Sequence, residues 1–159
     1  MPIEVKEKPK YAIVAAVQLP SVNDVEFQAS LTELRELAKT LGYKVVSTFV
    51  QKRSSFDATA YLGVGKRQEI RGLVHNDSEY TEYAESVVNA DNREIDVILV
   101  DHEISPSQAR NLENEIGCEV MDRTMVILEI FHRNARSRAA RAQVEIARLG
   151  YMAPRLREA

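Results

Sequence analysis

The sequence predicts an α/β fold: a small parallel β-sheet of about four strands flanked by helices, followed by a C-terminal helical linker segment. Two strand–helix–strand units carry that expectation, one over residues 11–50 and one over residues 96–121. In each, short strand segments that are apolar nearly throughout bracket a stretch whose apolar residues recur at helical spacing. Parallel strands joined in this way make a crossover that is right-handed as a rule. A third observation, an arginine-rich amphipathic stretch after residue 135, marks the linker. The chain is accordingly divided into a disordered leader over 1–10, an α/β domain over 11–134 and the start of a helical linker over 135–159.

Residues 1–10 are polar and charged and carry Pro2 and Pro9, which suits a frayed leader. Tyr11 to Leu19, YAIVAAVQL, reads as a central strand ended by Pro20 and Ser21. Asn23 with Glu26 forms a helix cap, and Phe27, Leu31, Leu34, Ala38 and Leu41 follow at helical spacing up to Gly42. Tyr43 to Val50, YKVVSTFV, is the second strand. A polar loop over 51–60 leads into YLGVGKRQEI, where Gly63 and Gly65 precede Lys66, Arg67 and a helix over 68–74. A glycine pair before a helix lets backbone N–H groups face an anion, and Lys66 and Arg67 add positive charge, so these four residues are candidates for nucleotide or RNA binding. The plainer account is a tight turn that needs glycine for its backbone. It is not a phosphate loop of the Walker type, because Ala60 stands where the first glycine belongs and Arg67 where a magnesium-binding Ser or Thr belongs.

Residues 77–94 carry Asp77, Glu79, Glu82, Glu85, Asp91 and Glu94 against Arg93, a solvated acidic element that would avoid RNA. In the second unit Asp96 to Val100 is a strand, and Ser105, Pro106 and Gln108 spell a capping box with proline at the first helical position. Ala109, Leu112 and Ile116 give that helix its inward face, Gly117 ends it in the left-handed conformation, and Cys118 to Met121 is the next strand. Met125 to Phe131 is apolar nearly throughout, a pattern shared by strands and buried helices; Asp122 and Thr124 as caps favour helix. From Ser137 to Gly150 an apolar stripe of Ala140, Val144, Ala147 and Ile146 opposes Arg138, Arg141, Glu145 and Arg148, and Pro154 is expected to interrupt the helix.

With 45% apolar and 28% charged residues the composition is that of an ordinary globular protein. No apolar run reaches membrane-spanning length and residues 1–10 lack a signal-peptide pattern, so the expected location is the cytoplasm. The single Cys118 lies in an apolar strand and reads as a small buried hydrophobe. Seven Arg against two Glu over 132–159 give that segment a balance of +5, leaving −8 of the net −3 to residues 1–131. Arginine forks suit phosphate, so Arg123, Arg133, Arg138, Arg141, Arg148 and Arg155 are candidate contacts to RNA or a partner, although a solvated face with Arg–Glu pairs explains the charge equally well. Asp101, His102 and Glu103 cluster at a strand's C-terminal end, where open α/β sheets place ligands, though a loop meeting water would be polar anyway. No pair among His75, His102 and His132 has metal-ligand spacing, and no nucleophile elbow or C-x-x-C occurs.

YLGVGKRQEI together with DHEISPSQARNLENEIGCEVMDRTMVILEIFHRNARSRAARAQVEIARLGYMAPRL resembles the N-terminal domain of the HflX family of ribosome-associated GTPases, over nearly the whole chain from about residue 11 except the acidic stretch. The resemblance implies a small α/β domain followed by a coiled-coil-like helical linker, with a GTPase domain further on that would use GTP and Mg²⁺. It implies the large ribosomal subunit and its RNA as partner, with a role in splitting or rescuing ribosomes under stress, and contact with the downstream GTPase domain. In some members the domain is also reported to bind ATP and act on RNA, which makes a nucleotide sensor or RNA-remodelling domain an alternative; a non-catalytic scaffold that forms a homodimer through the C-terminal helix is another. The 159 residues contain no phosphate loop and no N-K-x-D, so no catalytic residue and no bound metal or cofactor is assigned, and this polypeptide is not expected to hydrolyse GTP.

Overall fold

A computed structural model describes residues 9–75 and 94–157. The sheet has four parallel strands, β1 (Lys10–Gln18), β2 (Tyr43–Lys52), β3 (Val97–Val100) and β4 (Glu119–Asp122), in the order β2-β1-β3-β4. Between and after them run α1 (Asp24–Thr40), α2 (Val64–Val74), α3 (Pro106–Ile116), α4 (Arg123–Asn134) and α5 (Arg138–Arg157). The leader and the acidic stretch fall on residues that, apart from a few at their ends, lie outside the described ones.

The unbroken apolar character of β1 has a direct cause. Ile13, Ala15 and Val17 point to one face, where α2 and α3 cover them with Ile70, Leu73, Leu112 and Ile116. Ala12, Val14 and Ala16 point to the other, under Phe27, Leu31, Leu34 and Ala38 of α1 and Val126 of α4. Side chains alternate along a strand, so a central strand covered twice has no polar position to spare. The helix ends follow their local code. Asn23 accepts from the Glu26 N–H at 2.8 Å, Ser105 and Gln108 cap each other reciprocally, and Gly117 closes α3 at φ 76°. The apolar run after Asp122 is helix α4, capped by the Asp122 carboxylate on the Met125 N–H.

Three expectations are corrected. The helix after the glycine pair begins at Val64, so Gly65 and Lys66 lie inside its first turn. Pro154 does not interrupt α5, which continues to Arg157. The faces of α5 are also rotated from the expected ones: Glu145 and Arg148 turn toward α4, where Arg148 pairs with Glu129 at 2.6 Å and Glu145 with His132 at 2.9 Å. Ile146, 71% exposed, turns to solvent instead. Of the expected apolar stripe, Ala140 and Val144 remain half-buried.

Since the reciprocal Ser105–Gln108 cap satisfies two N–H groups that the helix itself leaves open, Ser105→Ala should lower unfolding free energy by about 1 kcal/mol, read as a shift of the urea midpoint at unchanged slope.

Candidate functional site

The C-terminal ends of the strands carry two buried carboxylates, each at the point where an apolar strand gives way to loop or helix. Asp101 follows β3 and Asp122 closes β4, and both are 3% exposed. Arg123 donates to Asp101 Oδ1 at 2.7 Å, Ser30 of α1 donates to Asp101 Oδ2 at 2.8 Å, and Arg123 also pairs with Glu33. Asp122 Oδ2 accepts from the Ile104 N–H at 3.1 Å, from Arg155 at 3.2 Å and from the Tyr151 hydroxyl, while its Oδ1 caps α4. Burial, then the hydrogen bond to Asp122, pushes the Tyr151 phenol up. Arg155 also donates to the Ile104 carbonyl and stacks over the Tyr151 ring, 3.7 Å from its centroid.

At the ends of β1 and β3, the strands between which the sheet order β2-β1-β3-β4 reverses, the chain inserts Tyr61. The loop after β2 is tightened by Asp57, which accepts from the Thr59 and Ala60 N–H groups and so holds its carboxyl below the usual carboxylate range. Tyr61 takes φ 72°, uncommon for a residue with a side chain. Its side chain is fully buried, and its hydroxyl accepts the Val17 N–H at 2.9 Å and meets His102 Nδ1 at 2.6 Å. Phe56 lies against both rings. Burial, opposed by Asp101 and assisted by Arg123, pushes the His102 imidazolium form down, so the ring is held neutral. With Nδ1 unprotonated, the imidazole accepts the hydrogen bond that the Tyr61 hydroxyl donates; a protonated ring would aim an N–H at an oxygen that already accepts one.

The glycine turn is drawn inward as well. Gly63 gives its N–H to Gln51 Oε1 at 2.8 Å, and a Cβ there would stand 2.8 Å from Arg53 Nη1 and 2.9 Å from Gln51 Nε2, the movable ends of two long side chains that would have to shift aside. Arg67 is buried, donates to the Leu62 carbonyl at 2.8 Å, pairs with Asp57 at 3.2 Å and has the Glu115 carboxylate beside its Nε. Lys66 reaches Glu69 at 3.3 Å. Of the four turn residues, then, Gly65 and Lys66 face outward enough to meet a ligand.

The six candidate arginines divide likewise. Arg123, Arg148 and Arg155 are held in internal ion pairs, with side chains 21%, 23% and 19% exposed. Arg133, Arg138 and Arg141 are exposed around the α4–α5 corner, together with Arg136; Arg133 touches the Leu41 carbonyl and Arg141 that of Ala135. Glu103 is exposed, and among the described residues no cluster suited to a metal ion occurs. The Cys118 thiol is pushed up to about 11 by burial and the neighbouring Glu119, so it stays protonated. Sequence reasoning missed Tyr61, Asp57, Ser30 and Tyr151, and saw in Asp122 only a cap. The partners of Tyr61, Ser30 and Tyr151 lie far along the chain; Asp57 acts locally, on the Thr59 and Ala60 N–H groups, as an Asp at the start of a polar turn can.

This arrangement, a parallel sheet with its carboxylate rim and a glycine turn leading into α2, coincides with a known family. The model of the family described as GTP-binding GTPase N-terminal matches residues 28–132, and the chain belongs to that family. Within it, the chain is an N-terminal domain of the HflX type: it is 43% identical to GTPase HflX of Gluconacetobacter diazotrophicus, over 98% of this chain and 39% of the relative. It is 41% identical to GTPase HflX of Alkalihalophilus pseudofirmus, over 84% of this chain and 28% of the relative, so it spans less than half the length of these curated relatives. The solved structure of a GTP-binding protein from the hyperthermophilic archaeon Sulfolobus solfataricus, in complex with GDP, superposes with a TM-score of 0.62 at 27% identity, over 94% of this chain and 39% of that one.

Replacing Tyr61 with Phe strips the Val17 N–H and His102 Nδ1 of their partner and should cost about 1–3 kcal/mol. The same cluster sets a pH dependence. The folded His102 titrates below its ordinary value of 6.5, so its contribution is complete above pH 6.5 and is lost as pH falls from there through the depressed folded value. Thermal melts between pH 7.5 and 5 should therefore show a shallower decline for His102→Gln than for the wild type.

Proposed function

We propose that this domain is the non-catalytic N-terminal part of an HflX-type GTPase and presents its α4–α5 corner to ribosomal RNA of the large subunit, in a cytoplasmic protein that splits or rescues ribosomes under stress. The observation that carries the reading is the sorting of the arginines. Arg123, Arg148 and Arg155 are half-buried and committed to ion pairs within the domain, while Arg133, Arg136, Arg138 and Arg141 surround one exposed corner. Rigid guanidinium forks at an exposed corner suit phosphate oxygens. GTP and Mg²⁺ belong, in this reading, to a GTPase domain elsewhere in the protein.

Binding that rests on such contacts falls steeply with salt. Co-sedimentation with large ribosomal subunits should weaken on raising salt from 50 to 200 mM, roughly tenfold or more for three or four phosphate contacts. Charge reversal at Arg136, Arg138 and Arg141 should weaken it comparably at low salt; unchanged co-sedimentation would count against the corner.

A second observation supports a helical partner. Ala139, Ala142, Ile146, Leu149, Ala153 and Leu156 follow one another at alternating steps of three and four residues, and all are exposed. That is the spacing of a coiled-coil seam. The linker over 135–159 would bury this seam against another helix, from the rest of an HflX-type protein or from a second copy of this chain. Light scattering on the isolated domain should show a concentration-dependent dimer that Ile146→Glu with Leu149→Glu abolishes; a monomer at every concentration would leave the seam to another helix of the same protein.

A further inference from the structure

α5 contains a soft point placed between two clamps. Pro154 has no N–H, so the Gly150 carbonyl lacks the donor that would normally close that turn. Gly150 stands four residues before it, at the other end of the missing bond. Nothing in the surroundings asks for glycine there: a Cβ at Gly150 would meet open space within 4 Å, and Gly150 is not among the glycines of positive φ. An interior glycine costs about 1 kcal/mol and an interior proline about 3 kcal/mol relative to alanine, so both ends of one turn are weakened together.

On the N-terminal side of this turn, α5 is clamped to α4 by Arg148 on Glu129 and by Glu145 on His132. On its C-terminal side it is clamped to the rim of the sheet. The Tyr151 hydroxyl donates a hydrogen bond to Asp122, Arg155 reaches both Asp122 and the Ile104 carbonyl, and the Arg155 Nη2 donates to the Tyr151 oxygen at 2.7 Å. The residue that receives this second clamp, Asp122, is held by the body from two directions, the Ile104 and Met125 N–H groups.

We propose that α5 is a jointed helix: its tail, Tyr151–Arg157, is latched to the rim of the sheet through Asp122, and release of the latch lets the tail change direction at Gly150–Pro154 while Arg138–Leu149 stays on α4. The joint explains why a helix-breaking pair is tolerated inside a 20-residue helix, and the latch explains why the helix is nonetheless continuous.

Distances between paired spin labels test this directly, with native Cys118 replaced by Ser. One pair joins Glu36→Cys on α1 to Leu156→Cys beyond the joint, and a control pair joins Glu36→Cys to Ala142→Cys before it; all three sites are exposed. Both distance distributions should be narrow in the otherwise unaltered domain. Tyr151→Phe with Arg155→Gln should shift or broaden the 36–156 distribution by about one helical turn, ~5 Å, and leave the 36–142 distribution as it was. Adding Gly150→Ala and Pro154→Ala should narrow the 36–156 distribution again, because a continuous helix no longer needs the latch. An unaltered 36–156 distance in the latch variant would overturn the proposal. So would broadening of both pairs together, which means that the whole helix has detached, or a failure of the two alanines to restore order.

Discussion

Two carboxylates at the ends of β3 and β4 organise the molecule. A buried ionised carboxylate without partners costs several kcal/mol, so a fold that closes β3 and the edge strand β4 with Asp101 and Asp122 must bring donors to them. Those donors come from four directions: Ser30 from α1, Arg123 from the start of α4, the Ile104 N–H from the loop after β3, and Tyr151 with Arg155 from α5. The apolar layers hold α1 to α4 against the sheet, but apolar contact leaves helices free to slide. Charge pairing at the rim fixes their register, and it is what attaches the tail of α5, a helix in which no residue of described burial is fully buried.

Much of this was legible in the chain, for reasons that differ from part to part. Both strand–helix–strand units could be read because their information is local: a strand covered on two faces has to be apolar throughout, and a helix end has to satisfy N–H groups with whatever stands within three residues. Asn23, Ser105 with Gln108, and Gly117 act within such windows and took the roles expected of them. The orientation of α5 was misread because two stripes compete on it, and which one turns inward depends on Glu129 and His132, on another helix. Pro154 was read as a stop because proline alone argues for one; the bonds of Arg155 and Tyr151 to the rim, which hold the next turn in place, are invisible at that range.

The site shows the same division. Gly63 was read as a turn residue whose N–H could face an anion; its N–H goes to Gln51 Oε1, on a backbone of φ −66° and ψ 159° that other residues also adopt. Arg67 illustrates the limit of reading charge from sequence: an arginine next to a glycine turn looks like an anion contact, and here it neutralises Asp57 and approaches Glu115 beneath the turn. The resulting loop presents Tyr61 to the ends of β1 and β3, where its hydroxyl meets the Val17 N–H and His102.

The sorting of arginines also separates two tasks in space. α5 runs for 20 residues, about 30 Å, from the exposed corner at the N-terminal edge of the sheet to the latch on the opposite rim. An arginine that must answer a buried carboxylate cannot also be free for phosphate, since taking it away strands the carboxylate in the interior. Placing Arg136, Arg138 and Arg141 at one end and Arg155 at the other removes that conflict. A polyanion can be gripped at the corner with no loss at the rim, and the joint lies on the far side of the Arg148–Glu129 clamp, so that strain at one end of the helix need not disturb the other.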